Sequence, residues 1–194
     1  MSEVVPSVAT SWWHLAQATR CLQGGGVLAY PTEGVWGLGC DPWDPEAVAD
    51  LLALKDRPWE KGVILVASAI EQVTPWVAPL SREQRHQLDS AWPGPVTFLL
   101  PDPQGLAPPW IRGTHDRVAI RVTAHPLVRA LCDGFGGPIV STSCNPAGRP
   151  PAKSLLRVRQ YFGDQLDGIL PGALGGATQP SRIVDLVSGQ TLRA

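Results

Sequence analysis

The stretch GGPIVSTSCNPAGRP, Gly136 to Pro150, changes character halfway along. A double glycine leads into Pro138, Ile139 and Val140, which read as the start of a buried strand. Ser141, Thr142, Ser143, Cys144 and Asn145 follow, closed off by Pro146 and Gly148. Serine, asparagine, proline and glycine are turn formers, so one reading is a plain strand cap. The other is a ligand cradle, because short donors at the end of a strand in an α/β sheet reach into a crevice without filling it. If residues 141–145 stay extended, alternation puts Ser141, Ser143 and Asn145 on one face and Thr142 and Cys144 on the other. The first face is then expected to line the site and the second to pack.

The neighbouring segments supply the sheet. WWHLAQATRCLQ reads as a helix capped by Thr10 or Ser11 and stopped by Gly24-Gly25-Gly26, before the strand VLAYP. TEGVWGLGC reads as a loop and a second strand. Asp44 caps a helix with Pro45 in its first position, PEAVADLLALK, which Pro58 ends at Arg57. GVILVA is a strand, Ser81 and Gln84 make a capping box for REQRHQLDSAW, and PVTFLL and RVAIRV are strands. HPLVRALCDGF and SLLRVRQYFG are helices on either side of the opening strand, and RIVDLV and QTLR form a last pair around Ser188-Gly189. PDPQGLAPPWIRGTHD is rich enough in proline and glycine to be a long mobile loop. Strand and helix alternate through most of the chain, so the expected fold is α/β, a sheet with helices packed on it.

The chain has 194 residues, expected to form one domain spanning 1–194. Its 44% hydrophobic and 17% charged residues allow a large core and argue against disorder. A formal net charge of -1 is not the signature of a protein that lives on nucleic acid, although it leaves room for a local basic patch. Cys21, Cys40, Cys132 and Cys144 form no C-x-x-C pair and His14, His86, His115 and His125 are scattered, so no metal site is expected. The start shows no basic segment followed by an apolar one, and no apolar run is long enough to span a bilayer. A reducing cytoplasm with free thiols, and no membrane, is the expected setting.

Three further places carry chemistry. In YPTEGVWGLGC, Thr32 sits where a strand runs into a proline-stiffened turn and can face a ligand. In LKDRPWEKG, Lys55, Arg57 and Lys61 cluster where a helix ends. Cations there complement the helix dipole or solvate a turn, but they also suit a polyanion, arginine as a planar fork and lysine as a point charge. In VAIRVTAHP, Arg121 interrupts an apolar strand, so it either meets an internal carboxylate or awaits an anionic ligand.

Taken in order, YPTEGVWGLGCDP, LKDRPWEKGVILVA, WPGPVTFLLP, VAIRVTAHPLV and VSTSCNPAGRPP resemble the signature segments of the YrdC/TsaC-type threonylcarbamoyl-AMP synthases. The resemblance covers roughly residues 10–194 and matches the single-domain bacterial form. It implies the YrdC-like fold, a twisted, mixed α/β sheet with flanking helices around a concave basic site. It also implies a nucleotidyltransferase reaction, in which L-threonine, bicarbonate or CO2, and ATP give threonylcarbamoyl-adenylate and pyrophosphate, with Mg2+ accompanying the nucleotide. A downstream transferase complex would carry the group to tRNA, and weak tRNA binding by the chain itself stays open. By this resemblance Lys55 and Arg57 are the catalytic pair. With Lys61, Ser143, Asn145 and Arg193 they hold ATP, while Thr32, Arg121, Ser141 and Ser181 hold threonine.

Two positions depart from the family pattern. Gly34 replaces the usual serine or threonine after P-T-E, and Cys144 replaces the usual alanine within S-x-N. Both are small, so the cavity is expected to survive, with one hydroxyl contact in doubt at Gly34. The competing classes are a non-catalytic RNA-binding module on the same fold and a carbamoyl-transfer domain like those within hydrogenase-maturation proteins. The isolated domain, without acylphosphatase or zinc segments, counts against the latter.

Overall fold

The structure, a computed structural model, describes residues 12–177 and 181–193. The cap expected at Thr10 or Ser11 lies outside them. Helix α1 (Trp12–Gln23) leads into strands β1 (Leu28–Pro31) and β2 (Trp36–Gly39). Asp44 caps α2 (Pro45–Leu54) by accepting from the Glu46 and Ala47 amides, as the sequence predicts. Strand β3 (Ile64–Ala67) is followed by the short α3 (Thr74–Val77) and by α4 (Arg82–Asp89), where both arms of the Ser81–Gln84 capping box are made. Strands β4 (Val96–Pro101) and β5 (Arg117–Val122) flank α5 (Pro109–Arg112), and α6 (Pro126–Phe135) precedes β6 (Ile139–Ser143). The chain then forms α7 (Leu155–Phe162), β7 (Gly168–Ile169), β8 (Arg182–Asp185) and β9 (Thr191–Arg193).

The strands form one nine-stranded mixed sheet in the order β7-β1-β2-β6-β3-β5-β4-β8-β9. β3 is parallel to β5 and antiparallel to β6, which puts the strand of the quoted stretch near the middle. Alternation divides the sheet between two apolar clusters. Leu65, Ala67, Ile120, Val122 and Val140 face a large core with Val48 and Leu51 of α2 and Val158 and Phe162 of α7. Leu28, Tyr30, Val66 and Ile139 face a smaller one with Ala18 and Leu22 of α1 and Val128 and Leu131 of α6. Leu65, Ile120 and Val140 are fully buried, each contributing roughly 1.5–3 kcal/mol by burial. The α1–α6 layer covers only part of its face. Farther along the same strands that face is open, and the site forms there.

The segment expected as a long mobile loop is instead pinned. The Asp102 carboxylate, buried, accepts from the Leu106 and Ala107 amides and from the Trp76 indole N–H. Ile111 in α5 is fully buried, and its carbonyl accepts from the Val63 amide. Proline and glycine set the turns, but one aspartate and one isoleucine tie the segment to the core. The sequence reading also missed α3, which is a single turn, and β7, whose two residues pair with Leu28 and Ala29 of β1.

Candidate active site

The open part of the face is concave because its floor is made of small residues. Gly37, Ala119, Ser141 and Ser143 stand where larger side chains would fill the space, and the cavity above them has a volume of about 590 Å³. A Cβ on Gly37 would lie 3.1 Å from Thr32 Cγ2 and 3.3 Å from the Tyr30 ring, so glycine also lets the β1–β2 hairpin close tightly. Six cationic side chains line the cavity (Arg57, Lys61, Arg112, Arg117, Arg121, Arg193) against three carboxylates, Glu33, Asp116 and Asp185. The site therefore favours anions.

At one end Arg121, buried on β5, donates from Nη1 to Glu33 Oε2 at 2.9 Å. Glu33 Oε1 accepts from the Thr123 hydroxyl at 2.5 Å. So the arginine does meet an internal carboxylate. Its Nε, also buried, has no hydrogen-bond partner among the described residues. Thr32 donates its hydroxyl to the Val35 carbonyl at 2.7 Å, which stiffens the turn after β1. From the sheet edge, the Arg193 guanidinium grips the Ser181 carbonyl with Nε at 2.9 Å and Nη2 at 2.6 Å, and the Ser181 hydroxyl lies 3.0 Å from that of Thr97. Burial, with Arg121 and Arg57 nearby, pulls the Arg193 pKa down.

At the other end α2 stops and the chain reverses at Asp56, whose φ of 50° is left-handed. This turn separates the two cations beside it. Lys55 points inward, is 5% exposed, and donates from Nζ to the carbonyls of Ser143 and Asn145, the latter at 2.9 Å. Burial is the main reason its pKa falls from 10.5 to about 8, with Arg57 adding to the fall and Cys144 opposing it. Arg57 reaches back to the Gly62 carbonyl with Nε and Nη2, and burial lowers its pKa too. Lys61 is exposed on the rim. An adjoining cavity of about 240 Å³ is lined by Lys55, Arg57, Lys61, Thr142, Ser143 and Asn145, and shares Arg57, Lys61, Thr142 and Ser143 with the larger one.

The expected alternation is seen at three positions and breaks at two. Ser141 and Ser143 line the larger cavity, and Cys144 is fully buried in the core with its pKa pushed up to about 12 by burial. Thr142, expected to pack away, is half-buried and borders both cavities although it is still in register with Leu38 of β2. Asn145 leaves the strand: its backbone N–H turns back onto the Ser143 carbonyl, and its side chain donates to the Pro146 and Arg149 carbonyls. It lines only the smaller cavity.

A family model described as Telomere recombination, Sua5_yciO_yrdC, matches residues 20–194. The chain belongs to the Sua5/YciO/YrdC family. Among members of this family, the threonylcarbamoyl-AMP synthase of Marinobacter nauticus is 57% identical over 94% of this chain and 96% of its own. That of Cellvibrio japonicus is also 57% identical, over 91% and 93%. The crystal structure of P. abyssi Sua5 complexed with L-threonine aligns with a TM-score of 0.85 and 29% identity. It matches 92% of this chain, which spans about half, 52%, of that one. E. coli YciO, at 20% identity and a TM-score of 0.76 over 93% and 90%, shares the fold.

The sequence-predicted residues of this Sua5/YciO/YrdC member fall into one connected region. Thr32, Arg57, Lys61, Arg121, Ser141, Ser143, Ser181 and Arg193 line the larger cavity, and Lys55 and Asn145 the adjoining one. The sequence reading missed Glu33, which holds Arg121, Thr123, which holds Glu33, and the Arg117–Asp185 ion pair on the wall. Glu33 was within reach, since the P-T-E motif was singled out for its threonine alone. Among the described residues no helix is long and apolar enough to cross a membrane, and no cluster of histidine, cysteine and acidic side chains could hold a metal ion.

Proposed function

We propose that this chain condenses L-threonine, bicarbonate or CO2, and ATP into threonylcarbamoyl-AMP and pyrophosphate. It acts as a single domain (1–194) in the cytoplasm. The observation that carries the reading is that one concave surface joins Arg121, whose Nε is left without a partner among the described residues, to a group of cations suited to a polyphosphate, Lys55, Arg57 and Lys61. The match to curated threonylcarbamoyl-AMP synthases over nearly their whole length supports it.

Threonine lies with its carboxylate on Arg121 and its hydroxyl end toward Thr32, Ser141 and Ser181. ATP lies with its phosphates on Lys55, Arg57 and Lys61, near Ser143, Asn145 and Arg193. Of the three cavity carboxylates, Glu33 serves Arg121, and Asp185 and Asp116 both face Arg117, so Mg2+ arrives with the nucleotide as MgATP. The threonine amine adds to CO2 and loses a proton, giving a carbamate. A carbamate oxygen then bonds to the α-phosphorus, the bond from that phosphorus to the bridging oxygen breaks, and pyrophosphate leaves with the electron pair. The chain contributes by holding the two reactants together and by offsetting phosphate charge. No covalent enzyme intermediate is needed: the one thiol in the S-x-N stretch, Cys144, is buried and held protonated. The unstable product passes to a tRNA threonylcarbamoyl-transferase complex.

Pyrophosphate release from ATP tests this directly. It is expected to require L-threonine and bicarbonate and to proceed without tRNA. Release that appears only when tRNA is added would favour the RNA-module reading and overturn this one.

A further inference from the structure

A guanidinium bridges a carboxylate best along one edge, with two parallel N–H bonds. Arg121 has its Nη1 committed to Glu33, at 2.9 Å. Its Nε is a buried donor without a partner, so the Nε–Nη2 edge is the one left for an acceptor. Glu33 is itself held from three directions. Its second carboxylate oxygen accepts from the Thr123 hydroxyl at 2.5 Å, and that hydroxyl accepts from the His125 amide at 3.1 Å. The Glu33 backbone carbonyl accepts from the Ala177 amide at 2.8 Å, on the segment that runs on toward Ser181.

We propose that Glu33 is a positioning residue: by taking Nη1 it turns the Nε–Nη2 edge of Arg121 to the threonine carboxylate and sets the enzyme's selectivity for a free amino acid. This rests on the threonine-dependent reaction proposed above. The competing idea, that Glu33 merely neutralises Arg121 until substrate displaces it, makes the opposite prediction, because removing the competitor would then tighten threonine binding.

The test is steady-state pyrophosphate release by the full chain, with L-threonine and L-threoninamide as alternative substrates. In Glu33→Ala the KM for threonine is expected to rise roughly 10- to 100-fold, the effect of losing a well-aligned hydrogen bond to a charged group, while the KM for ATP stays within about twofold. The preference for threonine over its amide shrinks by about tenfold, because the mispositioned arginine no longer distinguishes them. Glu33→Gln keeps an acceptor for Arg121, and its amide can donate to the Thr123 hydroxyl, reversing the bond that Thr123 now donates, so its threonine KM is expected within about fivefold of the parent. If Glu33→Ala fails to fold, Glu33→Asp, one methylene short of Arg121, carries the same test. An unchanged or lowered threonine KM overturns the proposal, as does a Glu33→Gln variant as impaired as Glu33→Ala. A parent enzyme without threonine-dependent release would overturn the proposed function instead.

Discussion

Lys55 gives the site a dependence on pH that can be worked out in advance. Its Nζ has three N–H bonds, two of which go to the carbonyls of Ser143 and Asn145, leaving one for a phosphate oxygen. Burial lowers its pKa from 10.5 to about 8, so in the free protein the charge is kept below pH 8 and lost above it. If ATP binds the charged form, its apparent Kd is the intrinsic value divided by the protonated fraction. That fraction is about three quarters at pH 7.5 and about one eleventh at pH 9, so the Kd is expected to rise about eightfold between them. The assay is an ATP titration followed by tryptophan fluorescence, with no threonine present, so that neither the substrate amine nor carbamate formation contributes. Lys55→Met, uncharged throughout, should bind weakly with a flat profile. An affinity in the parent that stays constant up to pH 9.5, or the same rise in Lys55→Met, would show that Lys55 holds the 143–145 turn and does not touch the phosphates.

Arg57→Lys keeps the charge but loses the two-pronged grip on the Gly62 carbonyl that aims the side chain; kcat/KM should fall by about 1–3 kcal/mol with the circular dichroism spectrum unchanged, and normal kinetics would reduce Arg57 to a structural turn residue. Cys144→Ala should leave activity nearly intact and cost about 1 kcal/mol of stability, and iodoacetamide should label Cys144 slowly; rapid labelling with loss of turnover would make this thiol a nucleophile. The folded thiols of Cys21, Cys132 and Cys144 are raised to about 11–12 from 9, so stability present below pH 9 is lost as pH rises toward those values. Lys55 has the opposite sign, adding stability between pH 8 and 10.5, so urea midpoints should fall more steeply from pH 8 to 10 in Lys55→Met than in the parent, and equal slopes would refute the assignment.

Much of this was legible from local chemistry. Helix starts marked by Asp44 and Ser81 and strands marked by Ile139-Val140 or Val118-Ile120 depend on neighbours in sequence, and they stand where the pattern puts them. Arg121 was conspicuous because a cation in an apolar strand needs a partner. What stayed hidden depends on residues far apart in the chain. Nothing near Glu33 says that it meets Arg121, 88 positions away, and nothing near Asp102 says that it anchors Trp76 and the turn that follows. The departure of Asn145 from alternation had a local signal, since Pro146 follows it and strands seldom continue into such a residue.

The order of strands across the sheet also bears on the making of the protein. Both margins of the sheet come from the last stretch of the chain: β7 lies beside β1 on one side, and β8 and β9 lie beside β4 on the other. Ser181 and Arg193, which close one wall of the cavity, belong to that stretch. A nascent chain that has emerged as far as α7 holds the central strands, Arg57 and Arg121, but presents two raw edges and a cavity without one wall. The complete cavity therefore exists only once Arg193 has left the ribosome, and during that interval the unpaired edges of β1 and β4 are where strands of other chains would add.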